Sequence, residues 1–145
     1  MDIYTIVLIV HLLCAIIFIG YVFADVMILP AMNGVLDEKS FEKVKNALNT
    51  RARKVFPVSV LILILSGGFM LSKYINSNLG FFESSLQQLL VLKVILALVI
   101  VSGIIYSLSC KVRNKKPHAI MQNFHKFALV LGLAIVIIAK LMFVA

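Results

Sequence analysis

The sequence predicts an all-α membrane protein, a bundle of four transmembrane helices with a cytoplasmic amphipathic helix between the first and second. Three observations predict it. Hydrophobic residues make up 62% of the 145-residue chain, where soluble domains hold roughly 45–50%, and the mean hydropathy is +1.08. Four apolar runs approach or exceed the ~20 residues that cross ~30 Å of hydrocarbon. The basic residues gather in two of the three connections between those runs. Nothing in length or composition suggests a second domain, so 1–145 reads as one. The runs lack the alternation of barrel strands, and a backbone in lipid must satisfy its own hydrogen bonds, which leaves helices.

The first run, Ile3–Leu29, follows Asp2 rather than a basic segment, and it is longer than the apolar core of a leader. It is expected to be a retained helix. Between helices one and two, Phe41, Val44, Leu48, Ala52 and Val55 fall on one helical face of Asp37–Lys54. Asp37 suits the N-cap of this amphipathic helix and Glu38 its positive dipole end. It is expected to run into helix two, Val55–Leu71. A short polar turn with Asn76, Asn78 and Gly80 leads to helix three, Leu86–Ser109. A compact basic connection, Lys111–His118, precedes helix four, Phe124–Val144, with Pro117 near its start.

Orientation follows from charge. Of 14 Lys and Arg, six (Lys39, Lys43, Lys45, Arg51, Arg53, Lys54) lie in the first connection and five (Lys111, Arg113, Lys115, Lys116, Lys126) at the third. The positive-inside rule makes both cytoplasmic and both termini non-cytoplasmic, in a cell inner membrane. The net charge of +8 is therefore a topology signal, with some affinity for anionic lipid headgroups, and does not point to nucleic acid. Cys14 and Cys110 stand in different apolar runs without a CxxC or CxxCH pattern, which implies neither a disulfide framework nor covalent haem.

Ionisable residues inside a membrane are costly and mark function by default. Here they are His11, Asp25, Lys93 and Lys140. At 1.5 Å per residue from the outer surface, His11 lies roughly 12 Å deep, Lys93 roughly 10 Å and Lys140 roughly 8 Å, with Met70 in the same layer. Three nitrogen donors on three helices at one depth suit a b-type haem, which takes an imidazole, often a second axial ligand, and an apolar slot. His11 with Lys93 is the first axial pair and His11 with Met70 the reserve; lysine ligates only when neutral. Lys140, if charged, would meet a propionate. The plainer alternative is that both lysines snorkel to the surface and His11 bonds a neighbouring carbonyl. His125 opens helix four at the opposite face, too far in depth to pair with His11, and His118 lies in the basic loop. Asp25 suits an ion pair with Arg51, Arg53 or Lys54, or a hydrogen bond to His125.

The face carrying His11, Cys14, Ala15, Phe18, Val22 and Asp25 is expected to point inward. Gly20 and Ala24 stand opposite it as a small-xxx-small pair, repeated by Gly103/Ser107 and Ala128/Gly132. A homodimer through Gly20/Ala24 and ordinary packing within one bundle account for these seams equally well.

The chain resembles the HemJ-type membrane proteins and, more distantly, the CopD-like four-helix proteins. The likeness rests on His11 followed by Gly20 in the first helix, on Arg51–Phe56, Pro57 and Ser66-Gly67 in the second, on Leu92-Lys93-Val94, and on Ala139-Lys140 near the C-terminal end. The resemblance implies a haem b protein with His11 and Lys93 at the family's essential histidine and lysine, and an oxidoreductase activity converting protoporphyrinogen IX, a porphyrin precursor, to protoporphyrin IX. Two other functions fit the residues. One is copper handling of the CopD-like type, with His11, Cys14 and Met70 as ligands. The other is a cofactor-free accessory membrane subunit.

Overall fold

The computed structural model describes residues 2–74, 80, 82–113 and 124–144, with the side chains of residues 111 and 112 excepted. Its regular structure is helical, without a β-strand among the described residues. Four helical stretches are long and apolar enough to cross a membrane: Ile3–Gly34, Glu38–Leu71, Ser85–Cys110 and Phe124–Leu141. The chain is a multi-pass, all-α membrane protein. Large apolar side chains point outward along every stretch, with Ile16 67%, Leu65 65%, Ile105 63% and Val130 64% exposed. In water such a surface would cost about 25 cal/mol per Å² of apolar area; in lipid it costs nothing.

Contacts divide the chain into two compact units, Met1–Met70 and Leu71–Ala145. The first begins with α1, Ile3–Phe23, whose N-terminus is capped by Asp2 Oδ1 accepting from the Tyr4 N–H at 2.8 Å. Its buried residues Cys14, Phe18 and Val22 recur every four residues, as the inward face requires; His11, Ala15 and Asp25 on that face are half-buried. Gly20 is exposed on the opposite face, with open space where a Cβ would stand.

Helix one does not stop at Leu29. It continues as a π-helical turn, Ala24–Ile28, and a 3₁₀ segment, Leu29–Gly34. Pro30 supplies the reason, because a proline has no N–H for the α-helical bond to residue 26 and its ring crowds that carbonyl. The Leu29 N–H instead reaches back to the Ala24 carbonyl, and the chain stays helical by changing register.

The amphipathic segment runs into helix two, as expected. It is the first half of a single helix α2, Glu38–Leu71, with Pro57 inside it. At 34 residues α2 is about 51 Å long, far more than the hydrocarbon needs. Phe41, Val44 and Ala52 are half-buried, whereas Leu48 and Val55 are 41% and 42% exposed.

The second unit contains α3, Ser85–Val112, and α4, Phe124–Leu141. Ser84-Ser85-Leu86-Gln87 is a capping box in sequence: Ser84 Oγ accepts from the Gln87 N–H at 3.2 Å. The Gln87 side chain is buried (6% exposed) and folds back over the preceding turn. Its amide donates to the carbonyls of Tyr74 (2.9 Å) and Gly80 (3.3 Å), and its oxygen accepts from the Glu83 N–H (2.8 Å). Gly80 has φ +82°, a left-handed conformation glycine adopts without strain. Of the small pairs, Ala128 and Gly132 are buried on α4, and Gly103 lies directly under the Phe124 ring, which leaves no room for a Cβ. That close approach fits the expectation that small residues let membrane helices touch.

Asn76, Asn78, Lys115, Lys116, Pro117 and His118 lie outside the described residues.

Candidate functional site

The first unit holds a polar pair within apolar helices. His11 lies on the inward face of α1, and Ser66, one of three buried residues of α2, stands opposite it. His11 Nδ1 and Ser66 Oγ are 2.7 Å apart. Ser66 Oγ is also 2.6 Å from the Ile62 carbonyl oxygen, with the Leu63 carbonyl at 3.3 Å.

These distances assign the proton. A serine hydroxyl has one hydrogen, and a carbonyl oxygen can only accept, so the 2.6 Å contact commits that hydrogen to Ile62. Ser66 Oγ therefore offers a lone pair to His11, and Nδ1–H donates to it. In the neutral imidazole this is the Nδ1–H tautomer, which leaves the unprotonated lone pair on Nε2. Ring orientation is set by the same contacts together with Gly67. A Cβ built on Gly67 would stand 3.3 Å from His11 Cε1 and 3.9 Å from Nδ1. The Nδ1–Cε1 edge thus lies close against α2 at Gly67, where a Cβ would press on the ring.

An apolar groove of about 310 Å³ opens beside the pair. Ile6, Val7 and Val10 of α1 and Ile62, Leu65 and Phe69 of α2 line it, and Ser66 is its one polar lining residue. His11 itself is not among the residues that line the groove, which meets the pair through Ser66.

Met70 is one helical turn beyond Ser66 on the same face of α2, and it is buried (9% exposed). Lys93 and Lys140 belong to the second unit, where Lys93 is half-buried on α3 and Lys140 is exposed in the last turn of α4. The Gly103–Phe124 contact and the Tyr74 and Phe143 rings, 6.3 Å apart, set the register of that unit. Among the described residues, no three His, Cys, Asp or Glu side chains converge as a metal cluster. Cys14 and Cys110 are buried free thiols.

At the other end of α1, Tyr21 Oη donates to Asn49 Oδ1 at 3.1 Å. The Tyr21 ring meets Phe56 edge-on at 4.6 Å and Phe18 lies 5.3 Å from the same ring. Asp25 is half-buried in the π-helical turn. Neither Ser66 as the partner of His11 nor the Tyr21–Asn49 tie is readable from helix periodicity. The one available signal was a serine-glycine pair within an otherwise apolar run. The chain has no significant match among family models, curated proteins or solved structures.

Proposed function

We propose that the chain is a b-type haem-binding redox protein of the cell inner membrane, in which His11 would hold the haem iron through Nε2, with both termini on the non-cytoplasmic side. The observation that carries this reading is the His11–Ser66–Ile62 hydrogen-bond chain. Metal-ligating histidines characteristically donate their other ring N–H to a fixed acceptor, which sets the tautomer and aims the lone pair. Ser66 does this for His11, Gly67 gives the ring its place, and the groove beside them is apolar, as a haem edge requires.

Haem, when bound, supplies one-electron chemistry. Around it the chain's own residues have separate tasks. Ser66 holds the Nδ1 proton, and the side chains of Val10, Ile62 and Leu65 exclude water. Met70, on the same unit as His11, is the second ligand that unit offers; Lys93 and Lys140 enter only through the expectations drawn from the sequence. The resemblance to HemJ-type proteins adds a substrate: oxidation of protoporphyrinogen IX.

The test is a reduced-minus-oxidised absorption spectrum of the detergent-purified protein, with His11→Ala and Lys93→Ala beside it. A b-type spectrum is expected, lost in His11→Ala and altered in Lys93→Ala, and a porphyrinogen oxidation assay follows. Absence of a Soret band even after haem is supplied would sink the reading and favour a cofactor-free subunit.

A further inference from the structure

The tie between α1 and α2 fixes which residues of the two helices share a level. Helix one runs without a break from Ile3 to Gly34, 32 residues, more than the ~20 that cross the hydrocarbon. Counted from Ile3, its turns from about Tyr21 onward therefore stand at and beyond a bilayer surface. Tyr21 reaches both Asn49 and Phe56, so the α2 turn between those two residues lies at that same surface. The turn carries Arg51, Arg53 and Lys54, all exposed. Asn49, Ala52 and Phe56 take up the side facing α1, and the three cations project around the rest of the helix.

Little in the chain neutralises them. Residues 38–54 hold six cations and two carboxylates, Glu38 and Glu42. Glu42 is about 13 Å along the helix from Arg51, beyond the ~8 Å over which charges act at physiological salt. Asp25 is the carboxylate nearest this level, one against three. Beside the cations, the end of helix one exposes Phe23 (46%), Met27 (61%) and Ile28 (59%).

A surface that is apolar and cationic at the hydrocarbon boundary fits one environment, an anionic headgroup layer. Guanidinium groups pair with phosphate oxygens through two parallel hydrogen bonds, and the exposed Phe23, Met27 and Ile28 give the same level an apolar surface. We propose that Arg51, Arg53 and Lys54 form a binding collar for anionic phospholipid at the inner end of the α1–α2 pair. An acidic protein facing water would leave Met27 and Ile28 uncovered. The collar does not depend on haem, so the two readings fail separately.

The full chain, reconstituted into phosphatidylcholine vesicles with graded phosphatidylglycerol, tests it through the relative association of spin-labelled phosphatidylglycerol and phosphatidylcholine. The wild type is expected to select phosphatidylglycerol, less strongly at high salt. R51Q/R53Q/K54Q should lose at least about fivefold in that selectivity, the factor one basic residue near an anionic surface is worth. K39Q/K43Q/K45Q, with the same charge change farther along α2, should keep most of it, and circular dichroism verifies that both variants stay helical. Unchanged selectivity in R51Q/R53Q/K54Q would overturn the collar and leave these cations to an acidic protein partner. An equal loss in both variants would also overturn it, reducing the effect to net charge.

Discussion

At the residue scale, one hydroxyl hydrogen decides how His11 presents itself. Because Ser66 gives its hydrogen to the Ile62 carbonyl, it can only accept from His11, and the imidazole lone pair is moved to Nε2. Ser66→Ala removes that acceptor without adding bulk. Haem titration of the variant should show affinity lower by roughly 10- to 100-fold, the usual effect of removing an outer-shell partner of a ligand, with the helical spectrum unchanged. Unaltered affinity would mean that Ser66 serves α2 alone. Gly103 decides a different contact: Gly103→Leu should destabilise by about 1–3 kcal/mol through overpacking against Phe124, read from denaturant unfolding in detergent. Adding Phe124→Ala should recover part of that loss, since touching residues are not additive.

At the element scale, the chain keeps its backbone bonded by local means wherever a residue cannot continue the α-helix. Pro30 is absorbed by a π turn and a 3₁₀ segment. Ser66 and Ser102 return their hydroxyls to the carbonyls of Ile62 and Leu98, four residues back, which lets a polar side chain sit in an apolar helix. The turn before α3 depends on Gln87 in the same way. Gln87→Ala would leave the Glu83 N–H and the Tyr74 and Gly80 carbonyls without this partner, at a cost of about 1–3 kcal/mol. A lower thermal midpoint together with faster proteolysis between α2 and α3 is the expected signature. Loss of one without the other would place the role of Gln87 elsewhere.

At the scale of the whole molecule, the governing fact is that most apolar side chains point outward and remain so because lipid is their solvent. Association of helices then depends on close packing and polar ties rather than on hiding surface from water, the part played here by Gly103 against Phe124, His11 with Ser66, and Tyr21 with Asn49. The clustering of basic residues in two connections predicts both termini on the non-cytoplasmic side. In a background with Cys14 and Cys110 changed to alanine, Lys73→Cys should react with an impermeant thiol reagent in intact cells, and Lys45→Cys only after permeabilisation. The reverse pattern would invert the assigned topology.

Read alone, the sequence determined the class of the fold, the four spans and the inward stripe of Cys14, Phe18 and Val22, because hydropathy and helical periodicity are local properties of the chain. It also singled out His11, since an imidazole in an apolar run is conspicuous wherever it points. Only the tertiary structure decided that helix one survives Pro30, and that Ser66 and Gly67 receive His11. Those outcomes depend on residues 55 or more positions apart meeting across two helices, or on a balance between π, 3₁₀ and α hydrogen bonding that differs by a single N–H. Neither the partner of a side chain across space nor so small a difference in backbone bonding is written in periodicity.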